Sequence, residues 1–580
     1  MQKIFKFITS VCTVFGAILL IFLGIVIWFQ WEAQKSLYIP KHSVMVIDFS
    51  DSFSEKSGSS IVDELLDKKV LSLNQLIKSI EIAQTDDRID GIVARIDTSD
   101  LELAQIQDVA RTIAQFRKSG KKTIAFSQGF GPFGKGNREY YLASFFEKIY
   151  MQPHTTIGLT GIDAEIPFAR EVLDKIGVNP KFYTRYEYKS AMVSFTDKQI
   201  SAPFKQNMNE VIAGLMNEIK QDIVANRKLS ADDIDTLINQ APLSSEAGKN
   251  SGLIDDLLYL PELEDMLKKE GIENYVAVAD YAAQIVPNSG DLPTIAVLNI
   301  NGIIDTGESS TDFDGDFVIG SRSVLADLGE IEELDNLKAL VVRIDSPGGS
   351  YNAADEIYFA LKNLKNKKQI PIIISQGGYA ASGGYFISLA GDVIVAEPTT
   401  ITGSIGVLGG KFDLQKLWQK IGINWADIKQ GNNADILSIN KPFSATEQKI
   451  FNQSLDEVYA DFIEKVEENR KLSKNINDIA RGRVWTGRQA LQLGLVDAMG
   501  GFDNAVAIAM KMAQISPETK IKIVAFPAEK SFGEKISELI FSGNVRTRQI
   551  LEQSGVDIRY LKLFKRLQYD SVLLPFILNL

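Results

Sequence analysis

Cysteine and histidine are nearly absent from this chain of 580 residues: there is one cysteine, Cys12, and there are two histidines, His42 and His154. A single cysteine excludes an intrachain disulfide and any cysteine-built zinc site. Two histidines restrict every mechanism that needs an imidazole base to one of those positions. Positive charge is in deficit as well, 62 Lys and Arg against 74 Asp and Glu for a net charge of −12. Such a balance disfavours nucleic-acid phosphates, and no nucleic-acid partner is expected. What is present, 45% hydrophobic and 23% charged residues, suits a packed core and not a disordered chain. The length is several times the ~150-residue domain prior, so several domains or one repeated unit are expected.

Charge is missing altogether from residues 7–31, a run of 25 dominated by Val, Ile, Leu, Phe and Gly. A helix needs ~20 apolar residues to span a bilayer, and a cleaved signal has an apolar region of only ~7–15 residues with a small-residue cleavage site. The bulky Phe29-Gln30-Trp31-Glu32 that follows offers no such site. An uncleaved membrane anchor is expected over residues 1–35. Lys3 and Lys6 precede it, which places the amino terminus in the cytoplasm and the remainder outside.

The rest of the chain is written twice. Gly91-Ile92-Val93-Ala94-Arg95-Ile96-Asp97 returns 248 residues later as Ala339-Leu340-Val341-Val342-Arg343-Ile344-Asp345. Ser127-Gln128-Gly129 returns at the same offset as Ser375-Gln376-Gly377. Pro153, Gly158, Gly161 and Lys175-Ile176-Gly177-Val178 match Pro398, Gly403, Gly406 and Lys420-Ile421-Gly422-Ile423 at an offset of 245. Gly252-Leu253-Ile254-Asp255 pairs with Gly494-Leu495-Val496-Asp497. Within each half, short apolar runs alternate with helical periodicity, which predicts βαβ units and parallel sheet. The expected domains are 40–286 and 292–525, joined by a turn-rich linker near Pro287-Asn288-Ser289-Gly290, with a tail over 526–580 that packs on the protein or lies on a membrane surface.

A duplicated enzyme can drop a catalytic group from one copy, so mismatches inside matched segments are informative. The second half reads Ala380-Ala381-Ser382-Gly383-Gly384-Tyr385 after its Ser-Gln-Gly; the first half has a longer, serine-free Phe130-Gly131-Pro132-Phe133-Gly134-Lys135-Gly136. A serine among small residues at a strand-to-helix turn suits a nucleophile, and equally a helix N-cap. Ser346-Pro347-Gly348-Gly349 stands where the first half has Thr98-Ser99-Asp100-Leu101; paired glycines after a strand serve an oxyanion hole or an ordinary turn. Conversely, Tyr188-Lys189-Ser190-Ala191 in the first half aligns near Asn433-Ala434-Asp435, without lysine, in the second. Most lysines are solvated, but apolar neighbours would lower a lysine pKa toward that of a usable base.

These motifs together, with Thr402-Gly403-Ser404-Ile405-Gly406, resemble the long-form signal peptide peptidase A (protease IV) family of the Clp protease/crotonase-like superfamily. The resemblance spans roughly residues 40 to 525. It implies an α/β fold of tandem duplicated Clp protease/crotonase-like domains behind one N-terminal transmembrane helix. It implies Ser382 as nucleophile, Lys189 as general base, Gly383 with Gly348 or Gly349 as oxyanion hole, and Ser404 as the serine that orients the lysine, where the first half has Leu159. It also implies a homotetramer in the bacterial inner membrane, with extracytoplasmic catalytic domains that degrade released signal peptides through an acyl-enzyme. No cofactor and no metal are expected.

The reciprocal loss of serine and lysine points to the same pair, since a neutral lysine performs both proton transfers that histidine performs in a triad. It also argues against a non-proteolytic scaffold of the same fold. A crotonase-type acyl-CoA enzyme is disfavoured by the serine in the glycine-rich turn and by the expected location. Gly129-Phe130-Gly131-Pro132-Phe133-Gly134 has the outline of a dinucleotide loop, but Pro132 is awkward at a helix start. Asp312-Phe313-Asp314-Gly315-Asp316 lacks the glycine and glutamate that an EF-hand needs. Both are declined.

Overall fold

The computed structural model describes residues 39–51, 53, 55, 71–132, 134–285, 290–311 and 317–528. Among them no helix is long and apolar enough to cross a membrane. That finding corrects the expected single-pass topology with extracytoplasmic domains. Residues 1–35, on which the expectation rested, lie outside the described residues, as do most of the linker, the declined acidic loop and the tail from 529.

Two sheets carry the fold. The first half contributes β1 (Ser43–Asp48), β2 (Ile89–Arg95), β3 (Lys122–Ser127), β4 (Lys148–Met151), β5 (Asn179–Arg185), β6 (Asp256–Leu257) and β7 (Asn274–Ala277). Six of these form an all-parallel sheet in the order β6-β4-β3-β2-β1-β7. The second half contributes β8 (Thr294–Asn301), β9 (Leu337–Ser346), β10 (Ile372–Ala381), β11 (Val393–Ala396), β12 (Ile401–Gly403), β13 (Val407–Asp413), β14 (Val484–Thr486), β15 (Ala498–Met499) and β16 (Lys522–Phe526). Here the parallel order is β15-β11-β10-β9-β8-β16, which reproduces the first sheet strand for strand. The duplication read from sequence offsets is therefore a duplication of topology.

The central strands are near-continuous apolar runs because helices cover both faces of a parallel sheet. Ile92, Ala94, Leu340, Val342 and Ile374 are fully buried. Seven helices matter for the site: α1 (Leu103–Arg117), α2 (Arg170–Ile176), α3 (Ala202–Arg227), α4 (Tyr351–Lys368), α5 (Gly383–Ser388), α6 (Gln415–Ile421) and α7 (Ala445–Asn469). Ser201 caps α3, and Ser444 with Glu447 forms a capping box on α7, which satisfies backbone N–H groups that a helix start leaves unpaired.

Helix α1 is buried on its polar positions as well, at Gln105, Gln107 and Asp108, because the second half covers its outer face. There Gln107 accepts hydrogen bonds from the Thr399 N–H and hydroxyl. Arg343 of β9 bonds Glu55 at 2.8 Å and Asp108 at 3.1 Å, and Arg111 reaches Glu397 at 2.5 Å. Charges this deep stand only when paired, so the seam between the halves is held by interlocking ion pairs.

Candidate active site

A second seam places the residues that the sequence singled out. Strand β5 of the first half pairs antiparallel with β13 of the second, from Asn179 opposite Asp413 to Arg185 opposite Val407. This ribbon is the only sheet pairing between the halves among the described residues. Lys189 lies four residues beyond the end of β5, and Ser404 three residues before the start of β13. Because paired ends of an antiparallel ribbon coincide in space, the ribbon brings the lysine loop of one half onto the serine turns of the other.

Strand β10 runs directly into Ser382, whose N–H donates to the Gly403 carbonyl at 2.8 Å, and α5 begins at the next residue. Ser382 has φ 57° and ψ −113°, a sparsely populated conformation for a residue with a Cβ and one that recurs at functional turns. It occupies the N-cap position of α5, yet its side chain makes no capping hydrogen bond. The helix-cap alternative therefore does not account for the hydroxyl. That oxygen lies 2.5 Å from Lys189 Nζ.

Lys189 donates to the Ser404 carbonyl at 3.1 Å and to Ser404 Oγ at 3.0 Å. A neutral amine has two N–H bonds and one lone pair. With both N–H groups used on Ser404, the lone pair faces the Ser382 hydroxyl. Lys189 is 2% exposed, and burial drives its pKa well below the ordinary lysine value with no carboxylate to oppose the shift. Desolvation penalises the charged form, so burial favours the neutral amine.

The two candidate oxyanion glycines after β9 are not equivalent. The Gly348 N–H donates to Ser346 Oγ at 3.1 Å. The Gly348 carbonyl and the Ser350 N–H bond the backbone of Ile304 on either side of Gly349, which turns the Gly349 N–H away from that bridge. A Cβ on Gly383 would stand 3.3 Å from the Gly349 nitrogen, so the N–H of Gly349 and that of Gly383 at the α5 start line one small region. Gly349 has φ +155°, and a Cβ there would lie 1.9 Å from the Ile304 carbonyl oxygen; no side chain fits.

The segment Arg481-Gly482-Arg483 escaped the sequence reading. The Arg481 carbonyl accepts from the Tyr186 and Tyr188 N–H groups, the Gly482 N–H donates to Ile405, and the Ser404 N–H donates to Arg483. A Cβ on Gly482 would stand 2.6 Å from Lys189 Cα. Arg481 pairs with Glu187 at 2.8 Å and lies over the Tyr186 ring at 4.6 Å. The segment thus clamps the lysine loop to the Ser404 turn. The signal was available: at the offset that joins Gly252 to Gly494, Gly482 aligns with Gln240, another mismatch within a matched segment.

His42 pairs with Asp90 at the exposed rim of the first sheet, and His154 is exposed in a loop; neither bonds Ser382 or Lys189. The glycine-rich loop of the first half packs on itself, with Gly158 N–H donating to Phe130 and Gly136 N–H to Gly158. A Cβ on Gly158 would lie 2.2 Å from the Gly134 carbonyl oxygen. Among the described residues, these glycines allow backbone to meet backbone.

The model of peptidase family S49 matches residues 115–272 and again 364–516, together more than half of the chain. The chain belongs to peptidase family S49. A Clp protease model matches residues 319–400 of this S49 chain. Among its relatives, the chloroplastic serine protease SPPA of Arabidopsis thaliana is 30% identical over 78% of this chain and 68% of that protein. Protease 4 of Haemophilus influenzae is 28% identical over 84% of this chain and 79% of its own length. A putative signal peptide peptidase SppA of Enterococcus faecium is 33% identical over 39% of this chain and 66% of its own. The S49 chain is a serine protease with duplicated Clp protease-like α/β domains.

Proposed function

We propose that this serine protease cleaves peptide bonds with a Ser-Lys dyad divided between its halves. An N-terminal repeat domain, residues 40–286, supplies Lys189, and a C-terminal repeat domain, residues 292–525, supplies Ser382. The neutral Lys189 amine takes the Ser382 hydroxyl proton as Oγ attacks the scissile carbonyl carbon. The oxyanion that forms is held by the N–H groups of Gly349 and Gly383. Lys189, now an ammonium, protonates the leaving amine as the C–N bond breaks. A water deprotonated by Lys189 then attacks the Ser382 ester, and Lys189 returns that proton to Oγ as the ester bond breaks. Ser404 keeps two of the amine's bonds occupied, so that its lone pair faces the nucleophile.

The single observation that carries this reading is the 2.5 Å approach of a fully buried lysine to a serine hydroxyl, with no acidic group beside it. Substrates are extended apolar peptides of the released signal-peptide class, and the working form is a homotetramer. Hydrolysis of an apolar fluorogenic peptide tests the proposal with Ser382→Ala and Lys189→Ala made separately. Each is expected to lose at least ~10⁴-fold in kcat, as losses in serine-protease triads do, while remaining folded. Substantial turnover by Lys189→Ala would move the base elsewhere. Faster cleavage of charged than of apolar peptides of equal length would overturn the substrate class.

A further inference from the structure

The repeated Arg-Ile-Asp motif places one aspartate at the same point of each half, Asp97 in the first and Asp345 in the second. Their partners differ. Asp97 pairs with Arg95 at 2.9 Å, and its Oδ1 accepts the Gln128 N–H at 2.6 Å. There β2 and β3 pair only as far as Arg95 and Phe126. In the second half Arg343, the equivalent of Arg95, turns to Glu55 and Asp108, and among the described residues Asp345 forms no ion pair.

The Asp345 carboxylate meets backbone instead. Its Oδ1 accepts the Tyr379 N–H at 3.0 Å, and the Gly378 N–H bonds the same carboxylate. These N–H groups need a side-chain acceptor because β10 bulges against β9. Ile344 pairs with Gln376 and Ser346 with Ala380, so Gly377, Gly378 and Tyr379 together stand against Asp345. A bulge leaves ladder groups unpaired and re-aims the strand beyond it, and buried N–H groups require a partner. A Cβ on Gly377 would lie 2.9 Å from Asp345 Oδ2, so the carboxylate fills the space of a missing side chain. From the other edge, the Thr400 hydroxyl donates to the Gly377 carbonyl at 2.8 Å and the Thr402 hydroxyl to the Ala380 carbonyl at 2.7 Å.

The bulge is also where β10 changes neighbour. It pairs with β11 through Gln376 and with β12 from Tyr379 onward. The second pairing ends at Ala381 opposite Gly403, immediately before Ser382 on one strand and Ser404 on the other. Both serines that contact Lys189 therefore leave one short ladder, and the bulge sets where that ladder starts. We propose that Asp345 is a positioning residue, whose acceptor oxygens hold the β10 bulge and thereby aim Ser382 at Lys189. The groups it meets are neutral N–H groups, so the geometry of the acceptor matters and its charge does not. The inference deepens the proposed function and rests on Ser382 being the nucleophile.

Replacements that separate shape from charge test this, with peptide hydrolysis measured on full-length Asp345→Asn, Asp345→Glu, Asp97→Glu and Ser382→Ala. Asp345→Asn keeps an oxygen facing the Tyr379 N–H and is expected to stay within ~3-fold of the wild-type kcat. Asp345→Glu keeps the charge but carries it one methylene further. Misplacement of about 1 Å costs up to ~100-fold, so its kcat is expected to fall at least ~10-fold with KM within ~2-fold. Asp97→Glu makes the same change where the following strand leads to no serine, and is expected to keep the wild-type kcat. A folded Asp345→Asn that falls with Asp345→Glu, or Asp345→Glu at the wild-type kcat, overturns the proposal. Asp345→Asn preserves shape, so its arm decides the matter where Asp345→Glu does not fold. An equal fall in Asp97→Glu assigns the effect to general strain and overturns the proposal as well. Undiminished activity in Ser382→Ala overturns the dyad and this inference together, whereas an inactive Ser382→Ala beside unaffected Asp345 variants leaves the dyad standing and removes only the role of Asp345.

Discussion

The two halves share a strand order and diverge in the turns between their strands. In the second half, β10 passes through Ser382 straight into α5, and Gly383 packs against the backbone of Gly348 and Gly349. In the first half, three more residues fold back, and Gly131, Gly134, Gly136 and Gly158 close the same place with backbone contacts. The lysine loops diverge in the opposite sense. The loop after β5 is clamped across the seam by Arg481-Gly482-Arg483, whereas its counterpart around Asp435 is tied within its own half by Lys429 and Lys441. On the proposed reading, a duplicated site needs only one serine turn and one crossing loop, and the other copies serve packing.

Breaking the seam is the strongest perturbation of that comparison apart from removing the dyad. Asp108 belongs to the first half and holds Arg343 of the second, and both are 1% exposed. Asp108→Ala leaves the guanidinium short of a partner, and such losses cost ~3–5 kcal/mol. Denaturant unfolding is expected to show that loss, and Asp108→Ala is expected to lower activity by misplacing Lys189 against Ser382.

A smaller change makes the second half more like the first. Leu159 occupies the position equivalent to Ser404. Ser404→Ala deletes the hydroxyl that accepts from Lys189 and spares the carbonyl. One such hydrogen bond is worth about 1 kcal/mol, so kcat is expected to fall by about fivefold with KM little changed.

The last contrast is one of sign. Burial lowers the Lys189 pKa in the folded chain, so between that value and the ordinary lysine value of 10.5 the unfolded chain binds the extra proton. Stability therefore rises with pH through this window, and the cost of burying the amine fades as pH approaches 10.5. Lys189→Met is expected to raise the melting temperature at neutral pH, with a gain that shrinks as pH rises. A gain independent of pH would assign the effect to packing alone.

Much of this was legible in the sequence because the chain carries its own comparison. The strand runs around Val93 and Val341, the serine turn and the lone lysine all emerged from aligning one half with the other. The choice between Gly348 and Gly349 did not, since it depends on which N–H Ser346 and Ile304 leave unengaged. Gly482 was overlooked because its part is to give way to Lys189, and a glycine of that kind resembles any turn glycine until its neighbour is known. The partners of Arg343 come from distant segments, Glu55 and Asp108, and no local pattern announces them. The transmembrane expectation rested on residues outside the described structure, and no described helix supports it.

The division of the dyad is tested most directly by the pH dependence of Ser382 acylation by a serine-directed reagent, followed as stoichiometric labelling in wild type and Lys189→Met. The account predicts a single acid limb in the wild type, with a midpoint well below the ordinary lysine value, and its disappearance together with nearly all reactivity in Lys189→Met. Labelling of Lys189→Met at the wild-type rate, with the limb intact, would contradict it.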